Sequence, residues 1–422
     1  MVERFKCRVK QGMETVMTLL FWLVTAALVG AVCGVSGGAF HLAVDGVTEL
    51  RQSQSWLLYL LPVAGFIIVW TYRVCGMEND SGTNQIIASA RSGQRPPLKL
   101  APLIFLGSVL THLCGGSAGR EGAALQIGGS LAAGVGRLLR LKERNIRIIV
   151  TCGMSGLFSA LFGTPLAAAV FSMEVVNIGI FQYSQLFPGL ISAYVATGIT
   201  RLMGIEPEGY FLMGTPKLGW LPMVQVGGLA IACALLSVLF CVFMHNSARL
   251  YKRLLPNQYL RVVVGGLLVI GLTMLEGSGD YNGAGGHIIE EALTGNVDVP
   301  WAFLLKMVFT ALTLGAGYRG GEIVPTFFVG ATFGCAAAPL LGIHPAFGAA
   351  IGLIALFCGV VNCPLASILL SVELFGGEGL LFFALACAIS YLLSGKFSLY
   401  SAQKIVYSKL EPRLIDENDP ER

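Results

Sequence analysis

The chain is built of long uncharged runs broken by short polar stretches. Asp, Glu, Lys and Arg are absent over residues 15–35, 54–72, 148–173, 218–248 and 323–372. Roughly 20 apolar residues cross a bilayer, so several of these runs predict one passage each, and the last has room for two passages or a set of broken helices. The runs do not alternate apolar with polar positions, which excludes a membrane β-barrel. In order, the pattern predicts a long first helix that starts near residue 15 and runs past Gly37-Gly38 toward Leu50, then a second over 56–72. A polar interruption follows at 76–91, where Asp80-Ser-Gly is turn chemistry leading into a short helix. Further helices are predicted over 100–113, over 154–181 in two halves about Gly163-Thr-Pro165, and over 186–199, 218–248 and 262–275. Residues 276–296, glycine-rich and acidic, read as a loop with a short helix, and 137–147, with five basic side chains around one acid, as a solvated surface segment.

Composition turns this pattern into an all-α polytopic membrane protein. Of the 422 residues, 55% are hydrophobic and 12% charged, with mean hydropathy +0.73, against about 25% charged in soluble domains. Arg4, Lys6, Arg8 and Lys10 precede the first run, which puts the N-terminus in the cytoplasm by the positive-inside rule. That run is too long for an ordinary signal peptide and lacks a small-residue cleavage site. The net charge of +4 sits mostly in such flanks and gives no argument for nucleic acid. Eleven cysteines without a CxxC pair read as small core residues rather than a disulfide framework. The five histidines show no metal-ligand spacing, so neither a metal nor a cofactor is expected. The organisation expected is a cytoplasmic N-terminus over 1–13, one transmembrane domain over 14–410 and a cytoplasmic tail over 411–422.

Charge is costly in hydrocarbon and is kept there for a task. Two interruptions of the apolar sequence carry it. In Cys114-Gly-Gly-Ser-Ala-Gly-Arg-Glu-Gly122 the glycines let backbone approach a ligand, and a helix starting after them would aim unpaired N–H groups at an anion. In Gly317-Tyr-Arg-Gly-Gly-Glu-Ile-Val-Pro325 the proline lies near a helix start, where its missing N–H costs little, and Glu322 stands at the mouth. A carboxylate there repels an anion unless it is protonated or exchanges places with it. With an offset of 199, Glu174 meets Glu373 (373 − 174 = 199) and Thr164-Pro-Leu-Ala167 meets Cys363-Pro-Leu-Ala366. The same offset sets Gly116, Arg120 and Gly122 against Gly315, Arg319 and Gly321. Internal repeats with glycine- and proline-broken segments at matching positions are the sign of a transporter whose site lies at the repeat interface near the midplane. The repeats are placed at about 56–205 and 218–395, with one inverted relative to the other.

These segments resemble the CLC family of anion transporters, over nearly the whole chain. Gly119-Arg-Glu-Gly122 is similar to the family's signature around its gating glutamate, and Gly320-Gly-Glu-Ile-Val-Pro325 to its second anion-binding segment. Tyr400, in Ser398-Leu-Tyr-Ser401, is similar to its C-terminal anion-coordinating tyrosine. Ala123 replaces a proline usual in the family. Where chloride members have Gly-Ser-Gly-Ile-Pro, this chain has Gly82-Thr-Asn-Gln-Ile86, so Thr83 takes the serine position, with Ser81 the neighbouring alternative. Glu322 stands where chloride members usually have an apolar residue, and Val175 where their antiporters have an internal proton-transfer glutamate. This combination resembles the bacterial fluoride/proton antiporter branch. The resemblance implies two inverted repeats of broken helices whose N-termini face a central anion site, in a homodimer of the bacterial inner membrane that exports fluoride on the inward proton gradient. The partners implied are fluoride, protons and the lipid bilayer. Chloride/proton exchange or a passive chloride channel is the alternative; Val175 fits a channel, but Glu322 does not follow from it. The absence of nucleophile–base motifs argues against a membrane enzyme or receptor. About twenty residues follow Tyr400, too few for the nucleotide-binding pair of many eukaryotic members.

In this reading Glu121 is the gate and proton carrier. Ionised, it competes with the anion for the donors of its own segment; protonated, it swings away as the anion enters. Glu322 couples proton to anion in place of the missing internal site, and a protonated carboxyl is the strong, close donor that tightly hydrated fluoride needs. Thr83, Asn84 and Tyr400 offer side-chain donors, and Gly119, Arg120, Gly122, Ile323 and Val324 the backbone of the two segments. The side chains of Arg120 and Arg319 are expected to pair with carboxylates or helix carbonyls, and Glu174 and Glu373 to cap or pair within the fold. Thr83 could equally cap a helix. Phe327 and Phe328 are expected to pack rather than line an anion path with their ring edges.

Overall fold

Sixteen α-helices occupy the described part of the computed structural model, residues 2–411 and 413–415, with side chains described from residue 10 onward. They are α1 (Val2–Ser53), α2 (Leu61–Val74), α3 (Thr83–Ser92), α4 (Leu100–Leu113), α5 (Glu121–Leu138), α6 (Glu143–Phe162), α7 (Pro165–Glu174) and α8 (Leu186–Leu202). Then come α9 (Trp220–Leu254), α10 (Gln258–Glu276), α11 (Gly286–Leu293), α12 (Ala302–Ala316), α13 (Ile323–Ala337), α14 (Pro345–Val361), α15 (Pro364–Phe375) and α16 (Leu380–Leu393). Two-residue strands β1 (Asn177–Ile178) and β2 (Lys404–Ile405) pair in parallel and hold the segment after α16 against the end of α7. The basic flank expected at Arg4, Lys6 and Arg8, and most of the tail expected over 411–422, lie outside the described side chains and residues.

The predicted runs become helices at nearly their predicted places, because prolines and glycines punctuate them. Pro62, Pro165, Pro345 and Pro364 stand at the first or second position of α2, α7, α14 and α15, where a fixed φ suits a helix start and no N–H is lost. Among the described residues six helical segments are long and apolar enough to cross a membrane, Lys10–Ser53 and Trp220–Leu254 being two of them. Others are too short: the 10 residues of α7 span about 15 Å, half of a bilayer core. Such helices must end inside the protein, which is where the polar segments are found. The outer band is apolar, with Leu202, Trp220 and Leu275 at least 86% exposed, as suits a lipid-facing surface.

The helices repeat as two sets of eight. α1 packs on α4, α6 and α8 as α9 packs on α12, α14 and α16, so the first repeat begins with α1 and not near residue 56. The halves meet through equivalent elements, α2 with α10, α5 with α13 and α7 with α15, as a two-fold relation between inverted repeats requires. The offset between them is not constant. It is 199 for Pro165 and Pro364 (364 − 165), but the first residues of α5 and α13, Glu121 and Ile323, are 202 apart (323 − 121). The change falls between the helix crossings. α5 crosses α6 at Gly128 and Gly153, and α13 crosses α14 at Gly330 and Gly352, with offsets of 202 (330 − 128) and 199 (352 − 153). A Cβ on Gly128 would stand 2.8 Å from the carbonyl carbon of Gly153, so these backbones touch only because the side chains are absent. The matching of Arg120 with Arg319 expected from sequence is therefore corrected: the N-cap of α5, Arg120, corresponds to the N-cap of α13, Glu322.

The repeated glutamates serve the fold. Glu174, the last residue of α7, accepts from the amides of Leu365 and Ala366 at 3.2 and 2.9 Å, and Glu373 of α15 accepts from Leu166 and Ala167 at 3.0 and 2.8 Å. Each carboxylate caps the start of the other repeat's helix, satisfying amides that have no intrahelical acceptor. Hydrogen bonds to a charged group contribute about 1.5–3 kcal/mol net. Glu174→Ala is expected to lower stability by roughly that much, seen as a lower melting temperature in detergent, with Glu373→Ala costing a similar amount.

Candidate functional site

Two helix starts face each other near the centre of the fold. Gly119 and Gly321 form an antiparallel bridge, the amide of each donating to the carbonyl of the other at 2.7 and 2.6 Å. The first helical turns begin just past this bridge, with Ala124 donating to the Arg120 carbonyl and Thr326 to that of Glu322. The amides of Glu121, Gly122 and Ala123 on α5, and of Ile323 and Val324 on α13, therefore precede the helical ladder and have no carbonyl within their own helix. Both N-termini carry partial positive charge toward one place. The approach is close enough that a Cβ on Gly122 would stand 2.8 Å from the Gly321 Cα, 3.5 Å from the Thr83 hydroxyl and 3.6 Å from Glu322 Oε2. Thr83, Glu322 and both segments thus converge on Gly122.

Glu121 is completely buried and folds back on its own segment. Its Oε2 accepts from the Arg120 amide at 3.0 Å, and its Oε1 lies 3.6 Å from Arg120 Nε with no hydrogen-bond partner. The carboxylate occupies an amide of the turn that opens α5. The Arg120 guanidinium is held elsewhere, by Asp45 of α1 at 2.8 Å and by Glu208 of the connection after α8 at 3.0 Å. Arg319 is likewise bound, to the buried Asp80 at 3.1 Å, and its guanidinium sits 3.9 Å over the ring of Tyr72. Both arginines pair with carboxylates, as sequence reading expects, and the amide of Arg120 is taken by Glu121.

The remaining site residues divide. Thr83, the first residue of α3, is not its cap; Gly82 is. The Thr83 hydroxyl donates to the Gly122 carbonyl and accepts from the Gln126 amide, both at 3.2 Å, so in this conformation its proton is already engaged. Asn84 uses Oδ1 to accept from the Ala402 amide at 2.9 Å, which fastens the C-terminal segment to α3. Tyr400 on that segment is buried, and its hydroxyl has no hydrogen-bond partner among the described residues. Its neighbours are fixed to the end of α14: Leu399 donates to the Val360 carbonyl and Gln403 to that of Val361, both at 2.8 Å. Glu322 caps no amide and is half-buried opposite Gly122. Val175 is buried at the end of α7.

Sequence reading assigns no site role to four residues of this neighbourhood and takes Asp80 only as turn chemistry. Asp45, Asp80 and Glu208 anchor the arginines, and Gln126 bridges Thr83 to Gly122. Each is a polar residue in apolar or loop sequence whose partner is remote in the chain, so spacing gave no signal; Gln126, one helical turn after Gly122, was the most readable. Phe327 packs with its ring centre 5.7 Å from that of Phe162 and 5.3 Å from that of Phe357 and also lines a cavity beside the start of α5, while Phe328 lies beneath the Lys306 ammonium at 5.1 Å.

Residues 64–395 match the family described as voltage gated chloride channel. A curated relative from Pseudomonas syringae pv. tomato, named chloride/fluoride channel protein, is 37% identical over 98% of this chain and 92% of its own length. An H(+)/Cl(-) exchange transporter of Vibrio vulnificus is 27% identical over 94% of this chain and 90% of its own. Among solved structures, a CLC-type fluoride/proton antiporter superposes with a TM-score of 0.89 at 30% identity, covering 92% of this chain and 98% of that one. A slow cyanobacterial Cl-/H+ antiporter shares the fold, with a TM-score of 0.77 at 20% identity over 88% of this chain and 94% of that one.

Proposed function

We propose that this chain, which belongs to the voltage gated chloride channel family, exchanges fluoride for protons across the bacterial inner membrane. Its membrane fold and family membership make it a transporter or channel of small anions. The finer reading rests on one observation above others. A fully buried glutamate, Glu121, sits on the donor of an anion-facing helix start with one oxygen unpaired, and a second glutamate, Glu322, faces the same turn. When Glu121 is ionised it holds the place that an anion would take; when protonated it loses that attraction and releases the amides of α5. Anion and proton occupancy are then linked, as coupled exchange requires.

Glu322, as a protonated carboxyl, would donate to the anion, and the unpaired Tyr400 hydroxyl would donate from the other side. Fluoride, small and strongly hydrated, gains most from such donors. With the N-terminus in the cytoplasm, α1 ends at the outer face, and protons entering there drive fluoride out. The relatives named for chloride exchange carry the competing reading, chloride/proton antiport; a glutamate at position 322 offers chloride little. In liposomes of purified protein, fluoride is expected to leave many times faster than chloride, measured with ion-selective electrodes. Equal rates for the two halides would overturn the fluoride assignment.

A further inference from the structure

A cavity of about 860 Å³ opens beside the start of α5, on the side where α1 ends. Arg51, His112, Arg120, Asn282 and Val324 are among the residues that line it. Its charged lining is Arg51 and Arg120 with the carboxylates of Asp45, Glu208 and Asp280. Arg51, in the last turn of α1, has no carboxylate partner among the described residues, and its Nε is buried without an acceptor. Lys306 of α12 is fully buried and gives its hydrogen bonds to the carbonyls of Tyr281 and Gly283, at 3.1 and 2.7 Å. The Arg51 Nη2 approaches the same Gly283, 3.4 Å from where a side chain there would begin.

His112 completes the cluster. It is 1% exposed, and its Nδ1 lies 2.8 Å from the Ser108 carbonyl, which can only accept. Nδ1 therefore carries the proton, and Nε2 is left buried with no partner in a residue that lines the cavity. The groups that face His112 are Arg51 and Asp45 from α1, Arg120 at the start of α5 and Lys306 from α12. The nearby acids are already engaged. Asp45 is held by Arg120 and His41, Glu208 by Arg120, and Asp280 by Ser278 and His287. The Arg51 guanidinium thus reaches the cavity with no carboxylate of its own among the described residues, and an unpaired donor there calls for an acceptor.

We propose that this cavity holds a second site for a small monovalent inorganic anion, between the guanidinium of Arg51 and Nε2 of His112, on the outer side of Glu121. The identity of that anion rests on the exchange reading above: it is the fluoride that leaves the central site. Protonation of Nε2 turns it from acceptor to donor, so an anion on Arg51 and a proton on His112 stabilise each other. This places the departing anion and the incoming proton at one station before the gate. A role for Arg51 confined to the C-terminal dipole of α1 would act on the fold alone.

The test is the dependence of fluoride uptake on external fluoride in right-side-out membrane vesicles that contain the full chain. Arg51→Gln is expected to raise the half-saturating external fluoride about tenfold and to leave the half-saturating internal fluoride unchanged. Arg51→Lys, which keeps the charge, should stay near the wild-type value. An unchanged external value, or an equal shift on both sides, overturns the site. In the wild type, lower external pH should tighten external fluoride binding, and His112→Gln should flatten that dependence; a dependence kept in His112→Gln removes His112 from the site. Vesicles that carry no fluoride at all would sink the exchange reading instead, and the same comparisons made with chloride would then decide the cavity by the same criteria.

Discussion

Glu121→Gln is expected to carry fluoride while moving no protons. Glutamine keeps the size of the side chain and its ability to accept from the Arg120 amide, a contact of 3.0 Å in the wild type. It cannot ionise, so it neither competes with the anion as a charge nor takes up a proton. Proton flux should fall to the background of protein-free liposomes while fluoride flux persists. The neighbouring Arg120 does not confuse the result, because Asp45 and Glu208 neutralise it independently. A Glu121→Gln protein that still moves protons in proportion to fluoride would remove Glu121 from the gate.

The second large effect is expected at Glu322. It is the N-cap of α13 yet bonds no amide of its own helix, and its Oε2 faces Gly122 across the bridge between the repeats. Removing a carboxyl that serves neither cap nor ion pair should cost little stability. Glu322→Ala is therefore expected to fold, with a melting temperature near that of wild type, while its preference for fluoride over chloride falls at least about tenfold, a differential loss of ~1.4 kcal/mol. The measurement is the ratio of fluoride to chloride release rates in parallel liposome preparations. A variant that keeps the wild-type ratio would show that the selectivity resides elsewhere, in the amides of α5 and α13 or in Tyr400.

Much of this architecture was legible before any coordinates. Long apolar runs and prolines at helix starts mark their elements locally, and α7 and α15 begin at the prolines that the repeat matched. The pairing of Glu174 with Glu373 was also readable, since both occupy the same place in two similar segments. The single offset of 199 failed at the site because the two repeats differ by three residues between Gly128 and Gly153, and the chance match of Arg120 with Arg319 concealed the shift. Corrected, the two glutamates are not equivalent: Glu121 is the first residue of its helix and Glu322 is the cap before one. The partners of Arg120, Arg319 and Thr83 were beyond reach because Asp45, Asp80, Glu208 and Gln126 meet them only through tertiary packing. The same holds for the engaged proton of Thr83, which sequence reading left free for the anion.

Coupling is tested most directly by the sign of the pH change that accompanies fluoride release. Liposomes loaded with fluoride, with the membrane potential clamped by potassium and valinomycin, should alkalinise the outer medium as fluoride leaves, because departing fluoride is exchanged for entering protons. Leakage of hydrogen fluoride carries proton and fluoride the same way and acidifies the medium. Alkalinisation that stops with Glu121→Gln is the result predicted here. Fluoride release by the wild-type protein with no pH change, or with acidification, would contradict the exchange.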